Sequence, residues 1–166
     1  MRMEKVLLSL GSNLGESLDI IKNACNDIKA DNDIQQVIIS SYYRTKPVGY
    51  KDQDDFINIA ISLTTTKTPY QMLDLCAFLE QKYQRVRLFK NGPRTLDVDI
   101  IAFGDVILDE EKLILPHPRM HQRAFVLAPL KEIEPNFVIT KYQKSISQLY
   151  DLLDDTEKQG VKIIHG

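Results

Sequence analysis

The chain has 166 residues, with 21 Lys+Arg against 23 Asp+Glu and a formal net charge of −2. At 43% hydrophobic it is too apolar for a disordered chain, and its near-neutral charge argues against holding long nucleic acid by phosphate neutralisation. The length suits a single domain over residues 1–166 with a sizeable core.

Val6 to Leu10 reads as a strand buried on both faces, ended by a tight turn at Gly11-Ser12-Asn13-Leu14-Gly15 that borders a site. Leu18, Ile21, Cys25 and Ile28 recur at helical spacing, which predicts an amphipathic helix over about residues 16–30. Val37 to Tyr43 is β-branched and aromatic and reads as a second strand. In the next strand Ile57, Ile59, Ile61 and Leu63 share one face, and Phe56, Asn58, Ala60 and Ser62 the other. Thr68, Pro69 and Gln71 then supply an N-cap, a first helical residue and a capping-box partner for a helix ending near Tyr83. Leu96 to Phe103 reads as a strand, Asp105 to Leu115 as a hairpin-like excursion, and Leu149 to Leu153 as part of a final short helix. This order predicts an α+β, ferredoxin-like fold: an antiparallel sheet with helices packed on it, tending toward three α/β/α layers.

Cys25 and Cys76 fit neither a zinc pattern nor a disulfide framework and read as buried thiols. The apolar run Val6 to Leu10 is too short for a secretory signal or a membrane span, which predicts a cytoplasmic protein without a membrane partner.

Chemistry concentrates in four places. The run from Arg85 to Arg94 carries four cations (Arg85, Arg87, Lys90 and Arg94) and no acid, and Gly92-Pro93 makes it a loop. Clustered Arg suits bidentate contact with phosphate oxygens, although such a run alone also reads as a solvated loop. Asp97 and Asp99 follow at i and i+2 of a strand, so both carboxylates project to one face. Mg²⁺ suits such a pair, since it takes one or two carboxylates plus phosphate oxygens and water. Phe56 and Asn58 share the strand face opposite the isoleucines, where a ring and a carboxamide can stack a flat heterocycle and bond its edge. His117 lies between Pro116 and Pro118 in a stretch that also holds Arg119, His121 and Arg123, a positioned imidazole among cations.

Together, Gly11-Ser12-Asn13-Leu14, Tyr43-Arg44-Thr45-x-Pro47, Phe56-x-Asn58, Gly92-Pro93-Arg94-Thr95-Leu96-Asp97-Val98-Asp99-Ile100 and Pro116-His117-Pro118-Arg119-Met120 closely resemble the 6-hydroxymethyl-7,8-dihydropterin pyrophosphokinases of folate biosynthesis. The likeness runs from about Lys5 to Pro129 and implies transfer of the β,γ-pyrophosphoryl group of ATP to the pterin hydroxymethyl, releasing AMP. It implies that Asp97 and Asp99 hold a pair of Mg²⁺ ions, with ATP as co-substrate and a reduced hydroxymethylpterin as acceptor. By the same likeness Thr45, Val48, Phe56, Asn58 and Phe125 bind the pterin. Glu80, Arg87, Arg94, Ile100, His117 and Arg123 bind ATP, and Arg85 and Arg94 act with the two aspartates in catalysis. The chain departs from the family pattern in lacking a Trp before Gly92 and in placing Lys46 where Pro is common.

Two other readings compete. A non-catalytic ferredoxin-like module accounts for Phe56 and Asn58 but not for Arg94 with Asp97 and Asp99. A metal-dependent nucleotidyltransferase or nuclease accounts for those charges but needs no pocket for a single heterocycle. The expected assembly is a monomer or weak homodimer, with no nucleic-acid partner.

Overall fold

The computed structural model describes residues 2–13, 17–45, 55–84 and 96–164. Val48, Arg85, Arg87 and Arg94 therefore lie outside the described residues. Strand β1 (Glu4–Ser12) leads into helix α1 (Ser17–Lys29), then strands β2 (Ile34–Ile39), β3 (Tyr42–Thr45) and β4 (Phe56–Thr65). Helix α2 (Pro69–Gln84) and strand β5 (Asp97–Phe103) follow. The sheet order is β3-β4-β1-β5 with β2 also on β4, and every one of these pairings is antiparallel, as the ferredoxin-like reading requires.

The two sheet faces bury different helices. Val6, Leu8 and Leu10 of β1 and Ile57, Ile59, Ile61 and Leu63 of β4 form one core with Ile21 and Ile28 of α1 and Met72 and Leu79 of α2. Leu7, Ala60, Ile101 and Ala102 form a second core with Val126, Leu127 and Leu130 of helix α3 (Ala124–Ile133) and Leu149 of helix α4 (Ile146–Asp151). Helices on both faces make the three layers. The capping box that opens α2 is present: Thr68 N–H donates to Gln71 Oε1 at 2.9 Å and Gln71 N–H to Thr68 Oγ1 at 3.2 Å.

Four details differ from the expectation. β1 does not turn at Gly11 but pairs with β4 through Gly11 and Ser12, because β4 is long enough to continue the ladder there. The single strand expected at residues 37–43 is two, β2 and β3, each bonded to a different stretch of β4. Ser40 bridges the break: its N–H donates to Ala60 O at 2.9 Å, and Ala60 N–H to Ser40 Oγ at 2.8 Å. Helix α3 occupies a stretch for which the sequence predicted no element, since Pro129 inside it hides the helical pattern. Beyond the short hairpins β6 (Leu108–Asp109) with β7 (Ile114–Leu115) and β8 (Val138–Ile139) with β9 (Lys144–Ser145), the chain does not end on α4. Helix α5 (Asp155–Gln159) and strand β10 (Val161–Ile164) follow, and β10 extends the sheet along β3. Among the described residues, no helix is long and apolar enough to cross a membrane.

Candidate active site

The face of the sheet that packs on α3 is apolar at one end and polar at the other. Along β1 it reads Leu7, Ser9, Gly11, and along β4 Ser62, Ala60, Asn58, Phe56, by strand alternation. Register aligns these positions into rows: Asp97 of β5 lies opposite Gly11, which lies opposite Asn58. Asp99 lies opposite Ser9, which faces Ala60. Two strand spacings, roughly 9–10 Å, therefore separate the backbone of Asp97 from that of Asn58. Gly11 keeps the row open, because a Cβ there would stand 2.8 Å from Asn58 Oδ1.

Over this polar end opens a cavity of about 940 Å³, lined by Asp97, Asp99, Phe56, Asn58, Thr45, Arg123 and Phe125. Asn58 is buried and its Nδ2 donates to Thr45 Oγ1 at 3.1 Å, so the carboxamide is held in one orientation against β3. The Arg123 guanidinium lies 5.5 Å from the centre of the Phe125 ring, a cation–π distance that ties the two side chains at the start of α3. The far wall comes from the C-terminal segment: Thr156, Glu157, Gln159, Gly160, Val161 and Lys162 also line the cavity.

A second cavity, about 250 Å³, lies on the other side of β5 and is lined by Val98, Ile100, His117, Leu73, Lys112, Leu113 and Ile114. Asp99 lines both cavities, so the edge strand is the partition between them. Glu80 lines neither. From α2 its Oε2 accepts the Val98 N–H at 2.9 Å, which fixes the outer edge of β5 between the two aspartates. His117 is half-buried, and its backbone N–H donates to Ile101 O at 2.9 Å. Burial pushes its imidazole below the ordinary value; Asp99 pulls it back up, and Arg123 and Arg119 push it down. The Arg119 N–H donates to His117 Nδ1 at 3.2 Å, which leaves the ring proton of the neutral form on Nε2.

Of the residues singled out from sequence, the structure gathers Thr45, Phe56, Asn58, Asp97, Asp99, Arg123 and Phe125 around one cavity, and Ile100 and His117 around the other. Gly11 was misread as a turn, although a glycine inside an alternating strand is itself a sign of close approach. The hairpin expected over Asp105 to Leu115 is present as β6–β7, but its place on a cavity, and that of the 156–162 wall, depends on docking that no local pattern encodes. No group of three or more His, Cys, Asp or Glu that could hold a metal occurs among the described residues. The donor set is thus a carboxylate pair open to a large cavity, which suits Mg²⁺ completed by substrate oxygens and water, not an all-protein cage.

Comparison with known proteins shows the family to which the chain belongs. Residues 7–135 match the family described as 7,8-dihydro-6-hydroxymethylpterin-pyrophosphokinase. The 2-amino-4-hydroxy-6-hydroxymethyldihydropteridine pyrophosphokinase of Methylorubrum extorquens is 40% identical over 82% of this chain and 87% of its own. That of Bacillus subtilis is 40% identical over 76% of this chain and 75% of its own. A Plasmodium falciparum HPPK-DHPS chain solved with pteroate superposes at a TM-score of 0.74 with 15% identity, over 99% of this chain. This chain spans about half of that longer one, 47%.

Proposed function

The chain belongs to the 7,8-dihydro-6-hydroxymethylpterin-pyrophosphokinase family, and we propose that the cavities on either side of β5 are the two substrate sites of that reaction. It transfers a pyrophosphoryl group from ATP to hydroxymethyldihydropterin, a step of folate synthesis. The observation that carries the site assignment is the row Asp97–Gly11–Asn58, which sets a carboxylate pair and a heterocycle-recognising carboxamide on one face of one cavity.

In this reading the pterin ring stacks between Phe56 and Phe125, and Asn58 bonds its amide-like edge, with Thr45 holding the carboxamide. The family likeness would add Val48, outside the described residues, to the pterin contacts. The nucleoside occupies the smaller cavity beside Ile100, where Leu73, Leu113 and Ile114 supply apolar walls and Lys112 a cation. Its phosphates cross the β5 partition at Asp99. The hydroxymethyl oxygen attacks the β-phosphorus, a new C–O–P linkage forms, the bond from that phosphorus to the α,β-bridging oxygen breaks, and AMP leaves. Asp97, the more buried of the two aspartates, stands at the pterin end, on the side from which the hydroxyl proton passes to solvent as the oxygen attacks. His117 donates from Nε2 to a phosphate oxygen, and Arg123 offsets charge from the Phe125 side. Arg85, Arg87 and Arg94 contribute further cations to the phosphates. Asp97 and Asp99 would hold a pair of Mg²⁺ ions, which when bound neutralise phosphate charge and make the hydroxymethyl more acidic. Glu80 acts on this centre by fixing the β5 edge.

The test is AMP formation from MgATP in the presence and absence of the reduced hydroxymethylpterin. The wild type is expected to release AMP, not ADP, and only with the pterin present. Asp97→Ala and Asp99→Ala are each expected to slow release at least ~100-fold, with melting temperature and circular dichroism unchanged. Near-wild-type AMP release by either variant overturns the carboxylate assignment, and pterin-independent ADP formation overturns the transfer itself.

A further inference from the structure

Helix α3 begins at Ala124 with a defect. Its N-cap, Arg123, makes no side-chain cap hydrogen bond, and the first amides of a helix have no partner within it. The missing acceptor comes from 33 residues away: Ala124 N–H donates to Glu157 Oε1 at 3.0 Å. Ala124 is fully buried, so without this carboxylate its amide would lie in the protein interior with no such acceptor. A carboxylate at a helix N-terminus is also favoured by the helix dipole.

Glu157 is itself held in place. It sits on α5, where its N–H donates to Asp154 Oδ1 at 2.8 Å. The strand after α5, β10, is bonded to β3 with Val161 opposite Thr45. The segment carrying Glu157 is thus fastened to the same strand that ends at Thr45, and it lines the same cavity as Arg123 and Phe125. Those two side chains flank Ala124 in sequence. Any change in the position of the Ala124 amide is passed to both through one peptide unit on each side. The family match ends at residue 135, so this wall belongs to a part of the chain outside it.

We infer that Glu157 is a positioning residue for the larger cavity: by anchoring the Ala124 amide it fixes the start of α3, and with it the Phe125 ring that faces the heterocycle and the Arg123 guanidinium beside it. This rests on the pyrophosphokinase reading for its substrate, but the anchoring is measurable without turnover. Its larger effect falls on binding of the pterin through Phe125 and its smaller one on the phosphates through Arg123, because Glu157 stands on the wall formed by α5 and β10, and Asp97 and Asp99 stand on β5.

The experiment uses Glu157→Ala and Glu157→Gln in the full chain, read by steady-state kinetics for each substrate and by amide hydrogen exchange. Loss of one charge-assisted hydrogen bond predicts about a tenfold rise in KM for the hydroxymethylpterin in Glu157→Ala. The kcat and the KM for ATP, which Arg123 serves, are expected to change by a smaller factor than the pterin KM, and the Ala124 and Phe125 amides to exchange faster. Glu157→Gln keeps an oxygen acceptor and is expected to restore most of the pterin KM and of the protection. An unchanged pterin KM in Glu157→Ala overturns the proposal, as does a loss confined to kcat. Equal impairment of both variants also overturns it, since the charge and not the anchoring would then matter. If the wild type proves inactive toward the pterin, the functional reading fails, and the exchange of Ala124 still decides the anchoring. Should Glu157→Ala not fold, Glu157→Gln with wild-type protection and KM supports the anchoring, and a Glu157→Gln that loses both overturns it.

Discussion

Asn58 is a buried amide on a face that a simple core would fill with an aliphatic residue, and that mismatch was visible from strand alternation alone. What holds it was not visible. Its Nδ2 is taken up by Thr45 on the neighbouring strand, and its Oδ1 looks across at Gly11, whose missing Cβ leaves the room. Gly11→Ala is therefore expected to push the carboxamide out of line, costing about 1–3 kcal/mol of stability as an overpacked contact. Urea denaturation reads the stability, and a raised KM for the pterin with an unaltered KM for ATP reads the displacement. A variant matching wild type in both would show that the Asn58 side chain swings aside freely. Asp97 and Asp99 were legible as a pair because i and i+2 on a strand is a purely local relation.

At the scale of elements, the helix that carries Glu80 is tied down at both ends. Its start is the Thr68–Gln71 capping box, legible in sequence because all its parts lie within four positions. Thr68→Ala is expected to cost about 1 kcal/mol in thermal or urea unfolding. Its end is tied to α1 by Asp27, whose Oδ2 accepts from Tyr83 Oη at 2.6 Å and from Lys82 Nζ at 2.9 Å. Burial alone would raise the Asp27 carboxyl; the hydrogen bonds from Tyr83 and Lys82 outweigh it and hold the group below the ordinary aspartate value. A carboxyl lowered on folding contributes stability at pH above its unfolded value, and loses that contribution as pH falls through its folded one. Asp27→Asn is thus expected to be less stable than wild type at pH 7, with the gap closing toward pH 3, measured by urea unfolding at both. A gap that is constant with pH would assign the effect to packing. Helix α3 escaped notice because Pro129 breaks its pattern, and the split between β2 and β3 because Ser40 and Ser41 carry no turn signal of their own.

Over the whole molecule, β1 is the shared wall of two cores, with Leu8 facing α1 and α2 and Leu7 facing α3. Leu8 is 1% exposed, and Leu8→Ala is expected to cost about 2–5 kcal/mol. It should do so in a single unfolding transition, since both cores rest on one strand. Among the described residues no group of three or more His, Cys, Asp or Glu could hold a structural metal. Chelation with EDTA is accordingly expected to stop AMP formation yet move the melting temperature of the ligand-free protein by less than about 2 °C. A large drop in melting temperature would reveal a structural metal.

The sequence by itself determined helices α1 and α2, the two faces of β4, the paired aspartates and the cationic stretches, because each depends on residues within a few positions of one another. The motifs it carries were sufficient to point to the family. Only the tertiary structure decided that Asp97, Gly11 and Asn58 form one row, that β5 separates two cavities, and that α5 and β10 return to close the larger one. Interstrand register and the docking of a distant segment are set by packing between parts of the chain that share no local pattern. The acceptor that Glu157 offers to Ala124 is of that kind: an unmet amide at one helix start, answered from 33 residues away.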